Sequence, residues 1–107
     1  MKINITSWIQ LTPSLEGYAE NKFGSLGKLV KGFEDGQDIE LWIELGKSNH
    51  HKKGDIFTAA ADAHVPKKVL HAEAEAQTIR KAIDAARDIL RGEIEKYKDK
   101  LLPRRGK

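Results

Sequence analysis

The chain has 107 residues, 33% charged and 39% hydrophobic, with no cysteine and a formal net charge of +3. That length allows one small domain with a two-layer core, and the absence of cysteine excludes disulfides, zinc–thiolate sites and thiol nucleophiles. No apolar run approaches membrane-spanning length, and the opening MKINITSWIQ lacks the apolar segment of a signal peptide, so a cytoplasmic protein is expected.

Ile3 and Ile5 alternate with Lys2, Asn4 and Thr6, the period-two pattern of a first strand. Thr12 followed by Pro13 is an N-cap with proline at the first helical position, where its missing N–H costs nothing. Leu15, Tyr18, Ala19, Phe23, Leu26 and Val30 recur at helical spacing, which predicts a helix running to about residue 31. Gly17, Gly24 and Gly27 each weaken it by roughly 1 kcal/mol relative to alanine, so packing must hold it. FEDGQD supplies a turn, and IELWIEL then alternates cleanly, with Ile39, Leu41, Ile43 and Leu45 on one side and Glu40, Trp42 and Glu44 on the other.

GKSNHHKKGD reads as a polar loop. IFTAAADAHV follows as a third strand with Phe57, Ala59, Ala61, Ala63 and Val65 on one face. PKK turns the chain into a fourth strand, VLHAEAEA, with Leu70, Ala72 and Ala74 inward. A second helix is predicted from Gln77 or Thr78 to about Leu102, stopped by Pro103; Ile79, Ala82, Ile83, Ala86, Leu90, Ile94, Tyr97 and Leu101 form its apolar stripe. The order β-α-β-β-β-α predicts an α+β fold, a four-stranded mixed sheet with both helices packed on one face.

Charge is unevenly distributed along this scaffold. Residues 1–46 carry four Lys and seven Asp/Glu, whereas residues 47–107 carry fifteen Lys/Arg and nine Asp/Glu. On the second helix Arg80, Arg87, Arg91 and Lys98 fall within about 40° of one another, a ridge of one sign about 27 Å long beside the buried stripe. Lys96 and Lys100 lie on the other flank, and Arg104, Arg105 and Lys107 continue past the helix end. Lys47, Lys52 and Lys53 form a second cluster in the loop, and Lys22, Lys28 and Lys31 a third on the first helix. One reading is a solvated helical face patterned with Asp84, Asp88 and Glu95. The other is a polyanion-binding surface, for which arginine's planar fork suits phosphate.

The outward side of the sheet contrasts with this: Glu40, Trp42, Glu44, Asp62, His64, His71, Glu73 and Glu75 make it acidic. RNA-recognition motifs bind RNA on an open sheet through exposed aromatics; here Trp42 stands between two glutamates and reads as a cross-strand packing residue. Any nucleic acid should therefore meet the helical side and edges. Enzyme chemistry finds no footing: there is no glycine-rich phosphate loop after a strand and no nucleophile motif. Glu16 with Glu20, and Asp84 with Asp88, read as solvated carboxylate pairs rather than acid–base couples. His50 and His51 adjoin but have no further ligand at metal-binding spacing, so no metal and no cofactor is expected.

MKINITS, LTPSLEGYAENKFGSLGKL and HVPKKVLHAEAEAQTIRKAIDAARDIL, taken in that order and spacing, resemble the ribosome hibernation-promoting factors, the family that includes protein Y and was once labelled sigma-54 modulation protein. The most specific words are LHAEAEA leading into a helix with Ala82-Ile83-Asp84, and the basic EKYKDKL at its end. The resemblance covers nearly the whole chain. It implies a non-enzymatic factor that binds 16S-type rRNA of the small ribosomal subunit, and the 70S ribosome, in the channel used by mRNA and by A- and P-site tRNAs. Translation would be blocked sterically and idle ribosomes preserved. By matching position, the implied rRNA contacts are Arg80, Lys81, Arg87, Arg91, Lys96, Lys98 and Lys100, with Lys22, Lys28, Lys47, Lys52 and Lys53; Arg104 and Arg105 join them as the continuation of the ridge. Residues 1–102 would form a single ribosome-binding domain and 103–107 a short basic tail, with no membrane or small-molecule partner and a monomer off the ribosome.

Two departures stand out. The family often has tyrosine where Arg80 stands, and the first helix is unusually rich in glycine. The chain looks like a short form, without the C-terminal domain that pairs ribosomes in long forms or the extended tail of protein Y. Short forms in the family need a separate factor to promote ribosome dimers. The alternative from the residues is a free structured-RNA-binding module of double-stranded-RNA-binding type. That fold, however, begins with a helix and gathers lysines at the start of its last helix. A protein-interaction role for Trp42 and the acidic sheet stands as a third reading.

Overall fold

Alternation of apolar and polar residues lays down four strands in the computed structural model, which describes residues 1–33, 39–48, 54 and 56–101. They are β1 (Lys2–Ser7), β2 (Glu40–Ser48), β3 (Ile56–Val65) and β4 (Lys68–Ala76), hydrogen-bonded in the order β1-β2-β3-β4. β1 runs parallel to β2, with Ile3 opposite Leu41 and Ile5 opposite Ile43. β2, β3 and β4 form an antiparallel meander in which Ile43, Ala61 and Ala72 share a row. The parallel pair requires a crossover, and the first helical segment supplies it. The expected α+β architecture with a mixed sheet is observed.

The core lies between the sheet and helices α1 (Pro13–Gly24) and α3 (Ile79–Leu101). Leu41, Ile43 and Leu45 of β2, Ala59, Ala61 and Ala63 of β3, and Leu70 and Ala72 of β4 are buried against Ala82, Ile83, Ala86, Leu90 and Ile94 of α3. The small strand residues let α3 settle across β3 and β4 with Cα atoms within 8 Å. Phe23, Leu26 and Val30, from the first helical segment that packs against α3, join the same core and are fully enclosed.

Caps mark the helix starts. Thr12 Oγ1 accepts the Leu15 amide at 3.1 Å, with Pro13 opening α1, and Thr78 Oγ1 accepts the Lys81 amide at 3.2 Å at the start of α3. Lys67, at φ 66°, follows Pro66 in the tight β3–β4 connection, and Tyr97 of α3 donates its hydroxyl to the Pro66 carbonyl at 2.7 Å. Thus the C-terminal part of α3 lies over that turn, while its N-terminus follows directly from Ala76 at the other end of the sheet.

Two expectations are corrected. The first helix does not run unbroken to residue 31: it ends at Gly24, resumes as a short α2 (Gly27–Val30) and closes in a 3₁₀ turn, Lys31–Phe33. At the break the Leu26 amide reaches back only three residues, to the Phe23 carbonyl at 3.1 Å, and Ser25 Oγ donates to the Lys22 carbonyl at 2.6 Å. A side chain that competes for a helix carbonyl loosens the ladder, and the tighter turn carries Leu26 into the core after Phe23. The second correction is β2, which continues through Gly46 and Lys47 to Ser48, each paired with β3, so these residues belong to a strand rather than a loop.

Candidate nucleic-acid interface

Helices α1 and α3 meet along a seam of polar side chains that neither helix's apolar stripe explains. Tyr18 donates its hydroxyl to Asp84 Oδ1 at 2.7 Å, and the Arg80 guanidinium lies over the Tyr18 ring, 4.6 Å from its centroid. Arg80 Nη2 donates to Ser14 Oγ at 3.0 Å. Lys22 stands 3.5 Å from Asp84 Oδ1 and 5.6 Å from the Tyr18 centroid. The bond to Asp84 raises the Tyr18 pKa above its ordinary value, with burial and the Asp84 charge adding and Arg80 opposing.

Farther along, Arg87 Nε donates to Ser25 Oγ at 3.3 Å, so the residue that breaks the first helix also holds an arginine of α3. The Arg87 side chain is only 23% exposed, a stem buried in packing with its head at the surface. Ser25, Lys28, Arg87 and Arg91 wall an open cleft of about 240 Å³ whose apolar lining is Leu26 and Leu29. A second hollow, lined by Leu29, Glu95, Lys98 and Asp99, continues toward the end of α3. The four cations of the expected ridge therefore do face one side, the α1–α2 side, and Lys22 and Lys28 join them.

The ridge is not of one sign, as the spacing alone implied. Arg87 Nη1 donates to Asp88 Oδ1 at 2.7 Å, and Arg91 Nε lies 3.5 Å from Glu95 Oε2. Helical spacing puts Glu95 one turn beyond Arg91 on the same rim, whereas Asp88, the next residue in the chain, is met by the long Arg87 side chain turning back along the helix surface. Both pairs are at the surface, where an ion pair contributes no more than about 1 kcal/mol, so an incoming phosphate can compete for either arginine. Lys28, Lys81, Lys96, Lys98 and Lys100 make no ion pair among the described residues.

The profile of the Sigma 54 modulation protein / S30EA ribosomal protein family matches residues 3–102. The chain belongs to that family. A ribosome hibernation promoting factor of Escherichia coli is 31% identical over 102 residues, covering 94% of this chain and 97% of its own length. A protein of the same name from Klebsiella oxytoca is 30% identical over the same span. Among solved structures, a ribosomal subunit interface protein from Coxiella burnetii superposes with a TM-score of 0.72 at 20% identity, covering 92% of this chain and 98% of that one. The N-terminal domain of Thermus thermophilus protein Y gives 0.64 at 20% identity, covering 90% and 94%. These two likenesses establish the shared fold.

The expected contact residues that the structure describes fall into four places. Arg80, Arg87, Arg91 and Lys98 line the seam with Lys22 and Lys28, as above. Lys96 and Lys100 face the opposite flank, where they border a narrow gap with Lys68 of β4, a cation the sequence reading did not single out. Lys68 also sits 5.5 Å from the Tyr97 ring centroid. Lys47 stands over Phe57 near the end of β2, level with Ala76, so it lies toward the start of α3 and far from Lys96, Lys98 and Lys100. Lys81 is exposed on the outer side of α3. Lys52, Lys53, Arg104, Arg105 and Lys107 lie outside the described residues, as do His50 and His51.

Ser14, Ser25, Tyr18 and Asp84 are the positioning residues that spacing did not reveal as such. Ser14, Tyr18 and Lys22 recur at i,i+4 on α1, a polar strip that could have flagged the face meeting α3. Among the described residues no group of three or more His, Asp or Glu is placed to hold a metal ion, and no helix is long and apolar enough to cross a membrane.

Proposed function

We propose that this protein binds the small ribosomal subunit through the α1–α3 seam, occupies the channel used by mRNA and by A- and P-site tRNAs, and so blocks translation while preserving inactive ribosomes. Membership of a family whose curated relatives are ribosome hibernation promoting factors supports the setting. The observation that carries the surface is the cleft walled by Lys28, Arg87 and Arg91, with Arg80, Lys22 and Lys98 along the same edge. Along that edge Arg80 is held by Ser14 and Tyr18, and Arg87 by Ser25, before any ligand arrives. Preorganised guanidinium groups lose less side-chain entropy on binding.

The action is steric and electrostatic, with no bond made or broken. Each cation that neutralises a phosphate releases counterions and adds roughly 0.7–0.9 to the salt slope, so six contacts give a slope of about −4 to −5. Specificity comes from the fit of a rigid wedge, helices forward, to the folded rRNA. Lys96, Lys100 and Lys68 would grip a second strand on the far flank, with Lys81, Lys47 and the remaining basic positions 52, 53, 104 and 105 at the periphery.

Co-sedimentation with purified 30S particles tests this. Wild type should pellet with them at low salt, lose binding as salt rises, and inhibit translation in a purified system. Arg87→Glu with Arg91→Glu should keep the circular dichroism spectrum and weaken binding by roughly 10- to 100-fold. Absence of 30S binding, or its full competition by plain duplex RNA, would overturn the reading.

A further inference from the structure

The open face of the sheet carries a second built surface, chemically opposite to the seam. Along one row Asn4, Trp42, Asp62 and His71 stand side by side; along the next are Thr6, Glu44, Ala60 and Glu73. Alanine at position 60 leaves a gap among larger neighbours, a hollow of about 260 Å³ walled by Trp42, Glu44, Asp62 and His71. Trp42 is 47% exposed and meets His64 edge-on at 6.2 Å, so part of its ring borders the hollow. Trp8, beyond the end of β1, is 77% exposed and donates Nε1–H to Glu44 Oε2 at 2.8 Å. Sequence reading placed one aromatic on this face; the structure places two.

Two exposed tryptophans on one sheet face are costly to leave in water, and such patches on soluble proteins mark interaction surfaces. Their surroundings define the ligand. Glu40, Glu44, Asp62, Glu73 and Glu75 point to this side, against Lys2 among the described cations. Glu44 Oε2 accepts from Trp8 Nε1–H, and Asp62 Oδ1 accepts from His71 Nδ1 at 2.5 Å, which leaves Oε1 and Oδ2 without a hydrogen bond among the described residues. These two carboxylates are thus oriented by aromatic donors while each keeps an accepting oxygen beside the hollow. RNA is excluded by charge, and an apolar peptide would bury carboxylates without partners.

We propose that this face docks an arginine-bearing segment of a cationic protein, one guanidinium entering the hollow over Ala60 to stack on Trp42 and donate to Glu44 and Asp62. Arginine fits better than lysine because its planar fork can stack on an aromatic face and serve two carboxylates at once. The surface is separate from the seam, so a bound protein could hold rRNA with its helices and a basic protein segment with its sheet. This goes beyond the ribosome-binding reading and does not depend on it.

The chain's two tryptophans both lie on this face, so tryptophan emission, excited selectively over tyrosine, reports on it alone. Titrating the full chain with tetra-arginine amide should give a saturable fluorescence change; tetra-lysine should bind more weakly, and oligouridylate should leave the emission unchanged. Glu44→Gln with Asp62→Asn should weaken tetra-arginine binding by at least roughly tenfold without affecting 30S co-sedimentation. Should that variant misfold, amide-shift mapping on the wild type decides: shifts at Trp42, Glu44, Ala60, Asp62 and His71 support the proposal. No saturable change, equal affinity in the folded variant, shifts confined to α3, or quenching by oligouridylate instead would each overturn it. Failure here leaves 30S binding through the seam standing, and loss of 30S binding would leave this titration intact.

Discussion

The seam between α1 and α3 and the open face of the sheet present opposite charges by different means. At the seam, cations are positioned through contacts across two helices: Arg80 on Tyr18 and Ser14, Arg87 on Ser25, Lys22 on Asp84. On the sheet, strand alternation turns Glu44, Asp62 and Glu73 outward, and exposed bonds from Trp8 and His71, between neighbouring strands or along one, orient them. A surface assembled between elements depends on tertiary packing, whereas one written on a single sheet survives as long as the strands pair. The seam's residues should therefore carry more stability than the face's.

The sharpest way to break that contrast is to cut one pin on each side. Asp84→Ala removes the acceptor of the Tyr18 hydroxyl and the counter-ion of Lys22, and should cost about 1–2 kcal/mol in chemical denaturation. Tyr18 should then titrate closer to its ordinary pKa of 10, read by ultraviolet absorbance. Glu44→Gln, which weakens only the exposed bond from Trp8, should stay within about 0.5 kcal/mol of wild type. Equal costs would dissolve the distinction.

A smaller effect concerns the glycines. Space lies open around Gly17 on α1, so Gly17→Ala should stabilise by about 0.5–1 kcal/mol through helix propensity. On the sheet face a Cβ at Gly46 would come 2.9 Å from Thr58 Oγ1 and pack 3.9 Å from the Trp8 ring, so Gly46→Ala should destabilise. Both are read from urea midpoints.

The smallest effect is a pH dependence on the sheet. The bond to Asp62 chiefly raises the His71 pKa, Glu73 adds to it, and desolvation works the other way. A group whose folded pKa lies above its unfolded one stabilises fully below the unfolded value, about 6.5 for histidine, and that contribution is lost as pH rises through the folded pKa. The stability gap between wild type and His71→Gln should accordingly be wider at about pH 5.5 than at about pH 8. His71 is exposed, so solvent screening keeps the gap small.

Much of this fold was legible because its signals are local. Ile39, Leu41, Ile43 and Leu45 declare a strand by alternation, and Ile83, Leu90 and Ile94 declare the buried side of α3 by helical spacing. The break after Gly24 was not legible, since the Phe23–Leu26 step and the Ser25 bond to a backbone carbonyl take effect only once the core exists. Gly46 reads as a loop residue, yet its pairing with Thr58 keeps it in β2. The same limit applies to the interface. Angular arithmetic aligned Arg80, Arg87, Arg91 and Lys98, but it could not show that Asp88 would answer Arg87 and Glu95 Arg91, or that Tyr18 would hold Arg80 and Ser25 Arg87. Trp8 was invisible as a sheet-face residue because it lies just past the end of its strand.

The central claim, that the seam's cations grip rRNA phosphates, is tested most directly by the salt dependence of 30S affinity for three proteins. Wild type should show a slope of about −4 to −5, and Arg87→Ala with Arg91→Ala should lower its magnitude by roughly 1.5–2, whereas Glu44→Gln with Asp62→Asn should leave it unchanged. A slope that stays the same when Arg87 and Arg91 are removed would contradict the account.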